Sequence, residues 1–296
     1  MTVPTIDLGA ADDAALAQRI DAALRESGFF AVVGHGVPDA LRTAVFAASH
    51  RFFTQAETEK ARTHIDLSPG KRGWDPVGWQ ALDVGQPPDL KESFYLGSAH
   101  LGRNQWPDDA ALPGFRAACE AWSAAMQALS RRLMALFARA LALPPDRFDR
   151  YMTDPICTTR LLHYPPQAAT VPGQIGCGAH TDWGALTLLA QDDAAGLQVQ
   201  REDGGWIDIA PAPGALVVNT GDMMQRWTND RWRSTVHRVV NRGLERWSIA
   251  YFCDLDADAR IEPLSVCVSA DRPARYAPVT AGEHLAEMYR RTTVAA

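Results

Sequence analysis

The chain has 296 residues, 47% of them apolar, with a formal net charge of −6 and a pI near 5.7. This length allows one large domain or two small ones around a substantial core, and the acidic balance, with basic residues scattered along the chain, argues against a nucleic-acid surface. Apolar stretches are broken well before the roughly 18 residues of a membrane span, and Met1–Asp7 has no basic or apolar leader pattern, so neither a transmembrane helix nor a secretion signal is expected. The five cysteines (Cys119, Cys157, Cys177, Cys253 and Cys267) form no CxxC pair. That argues against a disulfide framework or a thiolate zinc cluster and for a reducing, cytoplasmic setting.

The first hundred residues mix short strands and helices. Val3–Leu8 reads as a strand. Asp12 or Asp13 can cap a helix in which Leu16, Ile20, Ala23 and Leu24 share a face. Phe29–Val33 is a buried-strand pattern, Gly34-His35-Gly36 turns the chain, and a second helix is predicted from about Asp39 to Phe53. Residues 66–110 are rich in Gly, Pro and Trp and read as a long irregular stretch, either a lid or pocket wall or a loop packed on the core. Its aromatics (Trp74, Trp79, Phe94 and Tyr95) argue against disorder.

Pro113–Ala142 predicts the longest helix. Phe115, Cys119, Trp122, Met126, Leu129, Leu133 and Leu136 recur at spacings of three and four, which marks a core-facing stripe. From residue 157 short apolar runs alternate with turn signals about every ten residues, the pattern of a sandwich or barrel. The runs are Thr159–Tyr164, Ala185–Gln191, Leu197–Gln200, Trp206–Ile209, Ala215–Asn219, Ser234–Asn241 and Trp247–Cys253, and a helix near Ala281–Arg291 follows. The expectation is a mainly β fold with flanking helices: a mixed α/β region over 1–110, a long helical segment over 111–155, and a β core with a C-terminal helix over 156–296, together one structural unit.

Chemistry concentrates in the β region. His180-Thr181-Asp182 and the distant His237 supply two histidines and a carboxylate, the ligand set of a non-haem ferrous site with three positions left open. Alternation along a strand aims His180 and Asp182 the same way, and His237 has to come from another strand. Arg246 and Ser248 repeat the i, i+2 spacing, so a guanidinium fork and a hydroxyl face one way, as an anchor for an organic carboxylate requires. Cys177 reads as a small buried thiol, and His35, His50, His64, His100 and His284 as core or surface groups. His163, in a strand near the site, is the remaining histidine of interest.

In combination these segments resemble the isopenicillin-N-synthase-like family of iron(II)/2-oxoglutarate-dependent dioxygenases. The likeness runs through Val3-Pro4-Thr5-Ile6-Asp7, Gly28-Phe29-Phe30, Gly34-His35-Gly36-Val37, Lys91-Glu92-Ser93-Phe94, Asn104-Gln105-Trp106-Pro107, His163-Tyr164-Pro165-Pro166, Gly178-Ala179-His180-Thr181-Asp182, Asn219-Thr220-Gly221-Asp222, Ser234–Val239 and Arg246-Trp247-Ser248. It implies a double-stranded β-helix (jelly-roll) core, Fe(II) on His180, Asp182 and His237, and 2-oxoglutarate held by Arg246 and Ser248 with Tyr164. Leu162 departs from the Asn that many plant relatives carry two residues before that tyrosine. The implied reaction is oxidation of a small organic molecule by O2 (hydroxylation, desaturation or cyclisation) with release of succinate and CO2.

An oxidase of the same family, whose Arg246/Ser248 pair would grip the substrate's own carboxylate, is the alternative. A zinc hydrolase and a silent binding module are further readings of the same residues. Arg72, Trp74, Trp79, Phe94, Trp183 and Tyr289 are the candidate pocket residues, and no oligomeric state is legible.

Overall fold

Alternation along the strands sorts the side chains into two separate packing layers. The computed structural model describes residues 3–10, 12–83, 85–166 and 171–292. In chain order they form β1 (Thr5–Asp7), α1 (Asp13–Glu26), β2 (Phe29–Val33), α2 (Asp39–Phe53), the single turn α3 (Glu57–Lys60), β3 (Gly73–Asp75), β4 (Glu92–Gly97) and α4 (Phe115–Ala140). The β-rich part follows, with β5 (Cys157–Tyr164), β6 (Cys177–His180), β7 (Leu186–Gln191), β8 (Leu197–Gln200), β9 (Trp206–Asp208), β10 (Leu216–Thr220), α5 (Asp222–Trp227), β11 (His237–Val239), β12 (Arg246–Cys253) and α6 (Ala281–Thr292). Asp12, not Asp13, caps α1, its Oδ1 accepting from the Ala15 amide at 2.9 Å.

Eight strands make one sheet in the order β1-β2-β10-β7-β12-β5-β4-β3, and β6-β11-β8-β9 make a second. Together they are a jelly roll, and the N-terminal strands share the larger sheet with the strands of the β region. Helices α1, α2 and α4 cover its outer face. There Phe30, Phe94, Leu161, Leu188, Val218 and Ile249 pack with the α4 stripe Phe115, Cys119, Trp122, Met126, Leu129, Leu133 and Leu136 in one core cluster. Each such buried side chain contributes about 1.5–3 kcal/mol relative to exposure.

The inner face carries a different row. Cross-strand partners share a face, so the pairings Asn219↔Phe29, Asn219↔Thr187, Ala250↔Leu189, Ser248↔Leu162 and Tyr95↔Arg160 set polar groups beside apolar ones, facing the second sheet.

The stretch expected to be irregular over residues 66–110 is largely so, and Leu82 lines the inner cavity, but it also contributes two strands to the edge of the large sheet. Trp74 pairs with Phe94 across β3 and β4, and both point into the outer core. Short runs broken by Gly and Pro hid these strands, since three-residue β3 carries no readable alternation.

Glu92 of β4 organises a buried polar cluster on the outer face. Its carboxylate accepts from Lys60 Nζ at 2.7 Å, Trp74 Nε1 at 2.7 Å and the His163 Nδ1 at 2.8 Å. Burial pushes this carboxyl up, and the bonds from His163, Lys60 and Trp74 outweigh it and hold the group below the usual range. A carboxylate lowered in the folded state adds stability above the ordinary glutamate range, and loses it as the pH falls through the lowered value. Glu92→Ala strands a buried ammonium and is expected to lower unfolding free energy by about 3–5 kcal/mol at neutral pH. Urea denaturation measures this, and an unchanged midpoint contradicts it.

Candidate active site

His180 ends β6 and His237 begins β11, and the two are direct cross-strand partners. Their rings lie 4.3 Å apart, with the edge of Phe29 against His237 at 5.3 Å. Asp182 lies two residues beyond the end of β6, so the strand-parity reading of His180 and Asp182 does not hold. A loop places the carboxylate instead. The Asp222 amide donates to the Asp182 carbonyl at 2.9 Å, and the Ser234 hydroxyl at 3.4 Å. Gly221 permits this close approach, because a β-carbon there would stand 2.6 Å from the same carbonyl oxygen.

The result is a convergent donor set. Asp182 Oδ1 lies 3.9 Å from His180 Nε2 and 3.7 Å from His237 Nε2. One ligand atom from each residue falls within 4.8 Å of the others. Asp182 Oδ2 is committed elsewhere, accepting from Thr187 Oγ1 and Asn219 Nδ2, each at 2.6 Å. His180 Nδ1 meets the Gly178 carbonyl at 2.7 Å and His237 Nδ1 the Thr235 carbonyl at 3.1 Å. Both Nδ1 atoms therefore carry the proton, and each Nε2 lone pair faces the centre.

The electrostatics agree with a metal-ready group. Burial lowers the pKa of His180, and burial with the field of His180 takes His237 down to about 4. Both rings are neutral at physiological pH. Burial alone would raise Asp182, but the two histidines and the bonds from Asn219 and Thr187 bring it below the usual carboxylate range. Two neutral imidazoles and one carboxylate on one side of an ion fit a divalent iron with open positions. Cys177 Sγ lies 4.0 Å from His180 Nδ1, not its Nε2, and burial raises the thiol to about 11. It stays protonated and outside the donor set.

Arg246 and Ser248 face the same cavity from β12. Arg246 is 3% exposed. Its Nη1 donates to Ser248 Oγ at 3.1 Å and its Nη2 to Gln191 Oε1 at 2.8 Å, while Nε is buried with no partner. Its Cζ lies 4.8 Å from the Tyr164 ring centroid, so Tyr164 stacks on the guanidinium. Among the described residues no carboxylate comes within 4 Å of this buried cation. Leu162, between Arg160 and Tyr164 on the inner face of β5, adds an apolar wall to the cavity.

His163 points the other way. It stacks on Trp247 at 4.0 Å and 14° and bonds to Glu92, so it belongs to the outer core. Of the candidate pocket residues, Trp74 and Phe94 are core, and Trp79 is exposed against His64. Trp183 and Tyr289 meet edge to face at 4.9 Å, and Arg72 lies on the inner side of β4. Three groups escaped the sequence reading: Thr187 and Gln191, which share the inner face of β7, and Arg160 of β5, which also lines the cavity. Parity along those strands carried the signal, but it needed the register to be read.

Residues 155–255 match the family model of the 2OG-Fe(II) oxygenase superfamily, and residues 3–109 match that of the non-haem dioxygenase in morphine synthesis N-terminal region. The chain is 41% identical over 266 residues to the 2-oxoglutarate-dependent dioxygenase citB of Monascus ruber, covering 83% of this chain and 80% of that one. It belongs to the 2OG-Fe(II) oxygenase superfamily. This oxygenase is also 35% identical to a homoarginine-6-hydroxylase of Glycine max, over 96% of this chain and 95% of the other. A full-length Neurospora crassa protein crystallised with alpha-KG, which is 2-oxoglutarate, superimposes with a TM-score of 0.90 at 30% identity, over 98% of this chain and 96% of that one. The protein is thus an oxidoreductase, an iron- and 2-oxoglutarate-dependent dioxygenase that uses O2. Among its described residues no helix is long and apolar enough to cross a membrane.

Proposed function

We propose that this dioxygenase oxidises a small organic molecule, by hydroxylation, desaturation or cyclisation, and releases succinate and CO2. On this reading His180, Asp182 and His237 hold Fe(II), and Arg246 and Ser248, with Tyr164 stacked on the guanidinium, hold the distal carboxylate of 2-oxoglutarate. The observation that carries it is Arg246: a buried guanidinium with a hydroxyl beside it, no carboxylate within 4 Å among the described residues, and a place on the cavity that the three ligand-type side chains share. A buried cation with no carboxylate in direct contact is costly, so an acid bound there stabilises the site.

Iron bound at the centre supplies the activation of O2, coupled to oxidative decarboxylation of 2-oxoglutarate. The chain's own part is positional. Thr187 and Asn219 fix which Asp182 oxygen faces inward, the two backbone carbonyls fix the histidine tautomers, and Gln191 and Ser248 hold the two ends of the guanidinium in place. Phe29, Leu189, Val239 and Phe252 among the lining residues limit water. The Neurospora relative has also been solved with thymine, which supports a small-molecule substrate here.

Succinate is the product that tests this reading. Incubation with Fe(II), O2, 2-oxoglutarate and a panel of small metabolites is expected to yield one succinate per 2-oxoglutarate consumed, and the rate to rise with the right metabolite. Oxygen consumption without succinate points instead to an oxidase that anchors its substrate's carboxylate on Arg246.

A further inference from the structure

The inner face continues past Tyr164 into a second basic region. Arg160, four residues earlier on β5, points into the same cavity and is 7% exposed. All its described polar contacts run through Nη2: Ser93 Oγ at 2.8 Å, Gln80 Oε1 at 2.9 Å and Asp75 Oδ2 at 3.5 Å. Its Nε is buried with no partner, and its Cζ lies 4.5 Å from the Tyr95 ring.

Arg72 comes to the same inner side of β4. A β-carbon on Gly97 would stand 1.9 Å from Arg72 Cζ, so the guanidinium occupies the space that this glycine leaves. Gly97 follows Tyr95 by two residues on β4 and therefore shares its inward face. Arg72 is largely buried, and burial lowers its pKa. Among the described residues no carboxylate pairs with it. Tyr289 of α6 lies in the field of both Arg72 and Arg160 and packs on Trp183, the residue after Asp182. His284 Nε2 also meets the Trp183 carbonyl at 3.1 Å, which ties α6 to the metal-side loop.

Among the described residues Asp75 is the only carboxylate within 4 Å of either guanidinium, and it contacts Arg160. The wall between them and the metal side is apolar, with Leu82, Leu162, Leu189, Ala250 and Phe252. We propose that Arg72 and Arg160 anchor the primary substrate, and that this substrate is a small monocarboxylic acid whose hydrocarbon part lies along that wall toward His180, Asp182 and His237. A bound carboxylate gives Arg72 the acidic partner it lacks, and a guanidinium pair favours a planar carboxylate. The inference rests on the dioxygenase reading above and adds the substrate's class to it.

Equilibrium dialysis of aromatic and alicyclic monocarboxylic acids, each beside its primary amide, tests it on protein loaded anaerobically with Fe(II) and 2-oxoglutarate. The expected result is that at least one acid binds and its amide binds at least about tenfold more weakly. Arg160→Gln removes the buried partner of Asp75 and can fail to fold, so Arg72→Gln carries the test. It is expected to weaken the acid by about 10- to 100-fold while 2-oxoglutarate still binds. Gly97→Ala, which keeps the charge but displaces the guanidinium, is expected to weaken the acid as well.

The inference is overturned if no acid binds, if amides bind as well as acids, or if Arg72→Gln binds the acid like wild type. Dialysis reads the acid directly, and 2-oxoglutarate binding is read separately. Failure of the acid anchor is therefore distinguishable from failure of the cofactor reading.

Discussion

Asp182→Ala is expected to reduce Fe(II) affinity by more than about 100-fold and succinate formation by at least about 10³-fold. The carboxylate is the only anionic group among the three converging side chains, and Oδ1 is the atom that faces both Nε2 nitrogens, at 3.9 and 3.7 Å. Its removal leaves two neutral imidazoles and no anionic ligand to offset the charge of the ferrous ion. Thr187 and Asn219 lose their shared acceptor at the same time. Metal content after anaerobic dialysis and the succinate rate measure the two effects, with circular dichroism confirming a folded chain. Full iron occupancy with turnover within tenfold of wild type contradicts the assignment. Asn219→Ala, which removes one bond to Oδ2 but no ligand, is expected to cost only about 10–100-fold in metal affinity.

Arg246→Gln is expected to raise the apparent dissociation constant for 2-oxoglutarate by about 30- to 1,000-fold, which corresponds to roughly 2–4 kcal/mol. The guanidinium is 3% exposed, held by Gln191 and Ser248, and stacked on Tyr164. Its charge and fork geometry are both specific to arginine. Arg246→Lys keeps the charge without the fork and is expected to recover only part of the loss. Ser248→Ala removes one hydrogen bond and is expected to cost about 1 kcal/mol, close to fivefold. Titration with 2-oxoglutarate at fixed Fe(II) measures the series. Equal affinity in wild type and Arg246→Gln contradicts the role of this residue.

The long elements were legible because their periodicities were long. α2 begins at Asp39 and ends at Phe53 as the apolar spacing predicts, and the α4 stripe is buried throughout. β8, Leu197–Gln200, also falls where its run does. What local pattern could not supply was register. Arg160, His163 and Tyr164 lie within five residues, yet two face the cavity and one faces the helices. The pairing of β5 with β12 and β4 decides which.

Spacing at the metal side gave a correct set of neighbours for the wrong local reason. The loop after β6 brings Asp182 to the histidines, pinned by Asp222 and made room for by Gly221. The expected run Ser234–Asn241 shrinks to β11, His237–Val239, because Ser234 and Thr235 serve the site through bonds outside any ladder. Arg72 was a candidate pocket residue by composition. Its placement depends on Gly97, 25 positions later, and no local pattern connects the two.

Anaerobic addition of Fe(II) and then 2-oxoglutarate tests most directly whether these side chains form one iron and 2-oxoglutarate site. Wild type is expected to develop a weak visible charge-transfer band that saturates with 2-oxoglutarate, that is absent in Asp182→Ala, and that needs far more 2-oxoglutarate in Arg246→Gln. A wild-type protein that gives no band, or variants that titrate as wild type does, contradicts the account.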